Sequence, residues 1–190
     1  MMLHDRPPAL FLDRDGVINV EKNYVHRIED FEFVEGVFAL CREAATMGMP
    51  IVVVTNQAGI GRGYYSEAQF HALTGWMRDQ FVAQGAPLAA VYFCPCHPEH
   101  GVGEYRKESF DRKPNPGMIL RARDELGLDL GRSVLIGDKG SDIAAARAAG
   151  IGLSVLLGAD IENAAPDRAV ASLQEACAVL TEFLQAEHKV

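Results

Sequence analysis

The chain has no apolar run near the ~18 residues that a membrane-spanning helix needs, so no membrane partner is expected. Its start, Met1-Met2-Leu3-His4-Asp5-Arg6-Pro7-Pro8, has no apolar core of the kind a secretory signal carries. A cytoplasmic protein is expected, and in that compartment its four cysteines need not pair. Positive charge is scarce. Eighteen Lys and Arg stand against 26 Asp and Glu, a net charge of −8, which argues against nucleic acid as the main partner because that binding rests on clustered cations. Repeats and low-complexity linkers are also missing. With 190 residues, 48% of them hydrophobic, the chain is expected to bury a full core as a single, monomeric domain.

The segments that are present alternate in type. Ala9-Leu10-Phe11-Leu12 and the all-β-branched Ile51-Val52-Val53-Val54 read as buried strands. Leu88 to Phe93, Val134-Leu135-Ile136 and Leu153 to Leu157 read as three more. Val37, Leu40, Ala44 and Met47 share a face of a helix that Gly48 and Pro50 stop. Ser66-Glu67-Ala68-Gln69 is a capping box. Phe70, Leu73, Trp76, Met77 and Phe81 follow at helical spacing, as a core stripe rather than a cofactor site. Asn115 can cap a helix whose first residue is Pro116, with Ile119, Leu120, Arg123 and Leu126 carrying it to Gly127. An alanine-rich helix runs from Ser141 to Ala149 and stops at Gly150, and Leu173 to Leu184 forms the last. This alternation predicts an α/β fold with a doubly wound parallel sheet.

Asp13-Arg14-Asp15-Gly16 directly follows the first strand. Side chains two apart on a strand point the same way, so Asp13 and Asp15 can face one pocket, and Gly16 lets the chain turn away. Adjacent carboxylates repel unless a cation lies between them or one keeps a proton. Both conditions suit phosphoryl transfer, in which one carboxylate attacks phosphorus and the other protonates the leaving oxygen. Three further segments follow in order: Thr55-Asn56-Gln57, Arg112-Lys113-Pro114-Asn115-Pro116-Gly117, and Gly137-Asp138-Lys139-Gly140-Ser141-Asp142. Sites of open α/β sheets lie beyond the carboxyl ends of the strands. Together the segments offer a nucleophile, a hydroxyl, a cation and a metal-binding acid.

These motifs, in this order, resemble the haloacid dehalogenase (HAD) superfamily of phosphohydrolases over about residues 9–157. Within it, Phe11 to Asn19, Tyr24-Val25-His26, Phe31-Glu32-Phe33, Thr55 to Ile60 and Gly137-Asp138-Lys139 are similar to the D-glycero-D-manno-heptose 1,7-bisphosphate 7-phosphatase family. Histidinol-phosphate phosphatases share nearly the same set. The resemblance implies a HAD-like fold with a small loop-type cap, and Mg²⁺-dependent removal of one phosphate from a small sugar bisphosphate. Asp13 would be the nucleophile that forms an aspartyl-phosphate. Asp15 would be general acid and then base, so it must begin protonated, which the neighbouring carboxylate favours. Asp13, the Asp15 carbonyl and Asp138 would hold Mg²⁺, and Asp142 would either hold a metal-bound water or help start its helix. Thr55 would donate to a phosphoryl oxygen and Lys113 would neutralise the transferred group.

Substrate choice would fall to Arg112, Lys139, Asn56, Gln57 and the loop Glu21-Lys22-Asn23-Tyr24, with Arg112 gripping the phosphate that stays. Arg62 is a further candidate. Residues 94–111 are expected to form a substrate-selecting loop, ordered by packing of Tyr105 and Phe110, by ligand contacts or by metal on its short Cys/His cluster. In the family this loop holds zinc through Cys-x-His and then Cys-x-Cys. Here Cys94-Pro95-Cys96 stands first, with Ser109 and Asp111 where the second pair belongs. Two thiolates are therefore missing, which counts against zinc, and Cys94 and Cys96, with His97 and His100, remain as candidate ligands. Two alternatives compete with the heptose phosphatase reading: a histidinol-phosphate phosphatase, and a signalling module that keeps its phosphoaspartate.

Overall fold

A computed structural model of the chain describes residues 6–158 and 165–187. Its centre is a six-stranded sheet in the order β3-β2-β1-β4-β5-β6, built from β1 (Leu10–Leu12), β2 (Ile51–Asn56), β3 (Leu88–Cys94), β4 (Val134–Gly137), β5 (Leu153–Leu157) and β6 (Arg168–Val170). All five pairings are parallel. Residues alternate between the two faces of the sheet. Leu10, Leu12, Ile51, Val53, Val134 and Ile136 enter one apolar cluster, whereas Phe11, Val52, Val54 and Leu135 enter another. Burial on both faces is why these strands read as unbroken apolar runs.

Three helices cover the first face: α1 (Val37–Thr46), α3 (Glu67–Ala83) and α6 (Leu173–Glu187). α4 (Gly117–Leu126) and α5 (Gly140–Ala149) cover the second. A one-turn helix, α2 (Ala58–Gly61), follows β2. The α3 capping box forms, with Ser66 accepting from the Gln69 N–H and Gln69 accepting from the Ser66 N–H. Phe70, Leu73, Met77 and Phe81 are buried along its inner face, with Trp76 packed beside them. Each such side chain contributes roughly 1.5–3 kcal/mol by leaving water. α4 and α5 end at Gly127 and Gly150, both left-handed.

Three expectations need correction. α4 begins one residue late, with Pro116 as its N-cap, because the Asn115 amide turns back to donate to the Ser109 carbonyl at 3.0 Å. Its buried residues include Met118, Ile119 and Ala122, and the expected Leu120 and Leu126 pack against the second apolar cluster. Phe110 is 63% exposed and does not order the 94–111 segment, although Tyr105 does pack against two of the apolar clusters. The sheet also gains β6, whose three residues are too short and too polar to read as a strand.

Candidate active site

Strand order reverses around β1, with β2 on one side and β4 on the other. The crevice at that switch point is where an open α/β sheet binds its ligand. Asp13 leaves the end of β1, and its N–H still donates to Ile136 of β4 at 3.1 Å. Thr55 sits near the end of β2, and Asp138 directly follows β4. Gly16 turns the chain at φ +91°, and a Cβ there would lie 2.1 Å from Asp138 Oδ2. Glycine therefore serves both the turn and the approach of the second acid.

Asp13 is 5% exposed and Lys113 3%. The Lys113 ammonium, from the segment before α4, stands 2.9 Å from Asp13 Oδ1 and 2.6 Å from Asp142 Oδ1, and donates to the Val54 carbonyl at 2.7 Å. Burial opposes its charge, but Asp13 and Asp142 outweigh that and hold its pKa above the ordinary lysine range. The Asn56 amide fixes the Lys113 backbone, accepting from its N–H and donating to its carbonyl, both at 3.0 Å. Asp142 accepts from the Lys139 N–H at 3.0 Å at the start of α5, so its helix-starting role is realised together with an ion pair to Lys113.

Ligand atoms of Asp13, Asp138 and Asp142 all lie within 4.8 Å of one another. Among the described residues this is the one such group of three or more His, Cys, Asp or Glu. Burial pushes Asp13 up to about 7, with Asp142, Asp138 and Asp15 adding to the shift and Lys113 opposing it. Burial also pushes Asp138 up to about 6, against Lys139. Asp138 Oδ1 is buried without a hydrogen-bond partner. A hard divalent cation with oxygen ligands fits this set, since it would satisfy the orphaned oxygen and offset the repulsion. Both carboxyls hold protons in the folded chain over a range where the unfolded chain, at 3.8, has lost them. Their contribution to stability therefore falls as pH rises from about 4 to about 7. Added Mg²⁺ should raise the melting temperature more at pH 8 than at pH 5. A shift independent of pH would mean the ion binds elsewhere.

Asp15 has different surroundings from those expected. Arg14, the largest fully buried side chain, donates to both its oxygens, at 2.8 and 3.2 Å, and to the Val25 carbonyl at 2.7 Å. Asn19 and Gln57 add donors at 3.1 and 2.9 Å. Sequence reasoning missed Arg14, Asn19 and Tyr65. Arg14 alone carried a signal, as a cation between two acids after an apolar strand.

A cavity of about 520 Å³ opens above these groups. Asp13, Asp15 and Lys113 line it with the expected Glu21, Asn23, Tyr24, Asn56, Gln57, Arg62, Arg112 and Lys139. Lys22 does not line it and pairs instead with Glu32 at 2.9 Å on the surface. The tip residues Asn23 and Tyr24 are left-handed, at φ 57° and 60°, conformations rare for non-glycine residues. Tyr24 carries the Arg62 guanidinium over its ring. Arg112 donates to the Cys96 carbonyl at 3.1 Å. Cys94 and Cys96 are buried thiols in the second apolar cluster. His97 lines the cavity, and its ring lies 4.6 Å from that of His100 at a 35° tilt. The 94–111 segment is tied to α2 by the Val102 N–H donating to Gly61 at 2.7 Å, and to α3 by the Tyr105 hydroxyl donating to Glu67 at 3.0 Å.

The HAD-hydrolase-like family model matches residues 110–176. D-glycero-alpha-D-manno-heptose-1,7-bisphosphate 7-phosphatase of Burkholderia mallei is 58% identical over 149 residues, 78% of this chain and 79% of that protein. D-glycero-beta-D-manno-heptose-1,7-bisphosphate 7-phosphatase of Vibrio cholerae is 51% identical over 150 residues, 79% of this chain and 81% of that protein. Among solved structures, a putative HAD-like phosphatase from Mesorhizobium loti superposes with TM-score 0.83 at 34% identity, over 94% of this chain and 88% of that one. D,D-heptose 1,7-bisphosphate phosphatase from B. bronchiseptica, complexed with magnesium and phosphate, gives 0.76 at 26% identity, over 94% and 99%. With identity of this order across most of its length, and acids and lysine gathered at the switch point, the chain is a phosphoric monoester hydrolase that belongs to the D-glycero-D-manno-heptose-1,7-bisphosphate 7-phosphatase family of HAD-like phosphatases.

Proposed function

We propose that this enzyme removes the 7-phosphate of D-glycero-D-manno-heptose 1,7-bisphosphate and releases heptose 1-phosphate, the precursor of nucleotide-activated heptose for lipopolysaccharide or capsule. Asp13 attacks phosphorus in line while Lys113 steadies its charge. Thr55 Oγ1 accepts from Gln57 at 2.9 Å, so its own hydrogen is free for a phosphoryl oxygen. Once one of its four donors lets go, Asp15 can hold a proton, give it to the leaving alkoxide and then take one from water as the aspartyl-phosphate is hydrolysed, help typically worth ~10²–10⁴ in rate. Asp13, Asp138 and Asp142, with the Asp15 carbonyl, would hold Mg²⁺, which would supply charge stabilisation on the phosphoryl oxygens. The chain acts as one cytoplasmic domain whose 94–111 segment selects substrate.

One observation carries the bisphosphate reading. Lys113 is held among Asp13, Asp142 and Val54, yet Arg62, Arg112 and Lys139, the last within 3.5 Å of Glu21, also line the cavity. A monophosphate ester has no use for three further cations, whereas a retained second phosphate does. Phosphate release should be compared across both heptose bisphosphate anomers, histidinol phosphate and fructose 1,6-bisphosphate. Preference for histidinol phosphate would replace this reading. Arg112→Ala should lower kcat/KM for the bisphosphate by at least ~10-fold more than for a simple monophosphate, because remote binding energy orients the reacting group. Equal losses would place Arg112 at the reacting phosphate or in the scaffold.

A further inference from the structure

Gln57 lines the cavity, yet it is 2% exposed and both ends of its amide have partners. Nε2 donates to Asp15 Oδ2 and to Thr55 Oγ1, each at 2.9 Å, and Oε1 accepts the hydroxyl of Tyr65. An amide nitrogen carries two hydrogens, so both are engaged. Turned over, the amide would set its oxygen against a carboxylate and leave Tyr65 without its acceptor. The Tyr65 hydroxyl therefore selects the orientation, and burial, which pushes its pKa up to about 12, keeps it a donor at neutral pH. Its ring is fixed on both sides. His26 stacks on it at 4.9 Å with 2° between planes, and a Cβ on Gly59 would come within 2.3 Å of Tyr65 Cε1.

We infer that Gln57 and Tyr65 are positioning residues for proton transfer: Tyr65 fixes the amide of Gln57, and that amide fixes Asp15, rather than either residue reading the sugar. The inference rests on the acid–base role proposed above for Asp15. His26 follows the loop Glu21–Tyr24, so this chain of contacts also links the substrate loop to Asp15.

The test uses leaving groups. Protonation matters for an alkyl ester, whose alkoxide leaves poorly, and little for 4-nitrophenyl phosphate. kcat/KM reports only the steps up to departure of that group. The ratio of kcat/KM for alkyl against aryl ester is therefore the readout, with heptose bisphosphate and glycerol 3-phosphate as the alkyl esters. Asp15→Asn must lower the ratio; otherwise Asp15 is not the acid and the inference falls with it. Tyr65→Phe should lower it about 10-fold, the order of one hydrogen bond. Gln57→Leu should lower it at least as far, and adding Tyr65→Phe to Gln57→Leu should change it no further, as for residues acting through one another. Gly59→Ala, whose Cβ would press on Tyr65 and also on Tyr24 Cδ1 at 2.9 Å, should reproduce the Tyr65→Phe ratio when glycerol 3-phosphate, which does not need the Tyr24 loop, is the alkyl ester, and covers the case in which Gln57→Leu fails to fold. Equal losses on alkyl and aryl esters, or additive effects in the double variant, would overturn the assignment. Failure of the heptose substrate alone would count against the proposed substrate, because glycerol 3-phosphate still reports the ratio.

Discussion

Asp13→Asn is expected to leave a folded chain whose turnover has fallen by roughly 10⁵–10⁶-fold, the order lost when the nucleophile of a covalent mechanism is removed. The amide is nearly isosteric with the carboxyl but has no anionic oxygen to attack phosphorus. The fold should tolerate it for reasons visible in the site. Asp13 is pushed up to about 7 by burial among other carboxylates, so a neutral group already suits the position over much of the pH range. Lys113 keeps Asp142 and the Val54 carbonyl as partners. Without added metal, the melting temperature should match or exceed that of the wild type above pH 7. The difference should vanish as pH falls toward 4, where the wild-type carboxyl is itself protonated. Phosphate release and the mass of acid-quenched enzyme are the measurements. Appreciable residual turnover, or a phosphorylated variant chain, would remove Asp13 from the nucleophile role.

How much of this site could be read in advance depended on the reach of each contact along the chain. Asp13, Thr55 and Asp138 were legible because each lies at the end of an apolar strand, and the parallel sheet carries those ends to one crevice. Lys113 was legible through its motif, but its pairing with Asp142 was not, since no local pattern links a segment before α4 to the first turn of α5. The partners of Asp15 show the same limit. Gln57 lies 42 residues away from it, and Tyr65 reads locally as a loop aromatic. The helices followed from periodicity and capping, whereas the start of α4 shifted by one residue because a side-chain contact at Ser109 outweighed the N-cap preference of Asn115. The exposure of Phe110 has the same origin: hydrophobicity indicates what would gain from burial, but the path of the loop decides whether a surface is there to bury it.

Lys113→Met should have the largest effect on stability. Methionine fills similar volume without charge. The substitution leaves Asp13 and Asp142 facing each other, and Asp138 beside them, with no cation between. Removing one partner of a buried ion pair typically costs about 3–5 kcal/mol, because the remaining charge stays buried and uncompensated. For a chain of this size that corresponds to a fall in melting temperature on the order of 10 °C. The deficit should depend on pH in a definite direction. With the ammonium gone, the carboxyls cling to their protons more strongly, so the variant should recover toward wild type as pH falls from 7 to 4 and be worst above pH 7. Mg²⁺ should restore more melting temperature to the variant than to the wild type, since it places positive charge among the same oxygens. Turnover should stay low even then, down by roughly 10²–10³-fold, because the variant lacks the fixed charge that steadies Asp13 during attack. The double variant Asp13→Asn, Lys113→Met separates charge from packing. If repulsion causes the loss, neutralising one carboxylate should return part of the stability, and the two substitutions will not add. A deficit constant from pH 4 to pH 8, and additive in the double variant, would mean that Lys113 holds the site by its packed stem rather than by its charge.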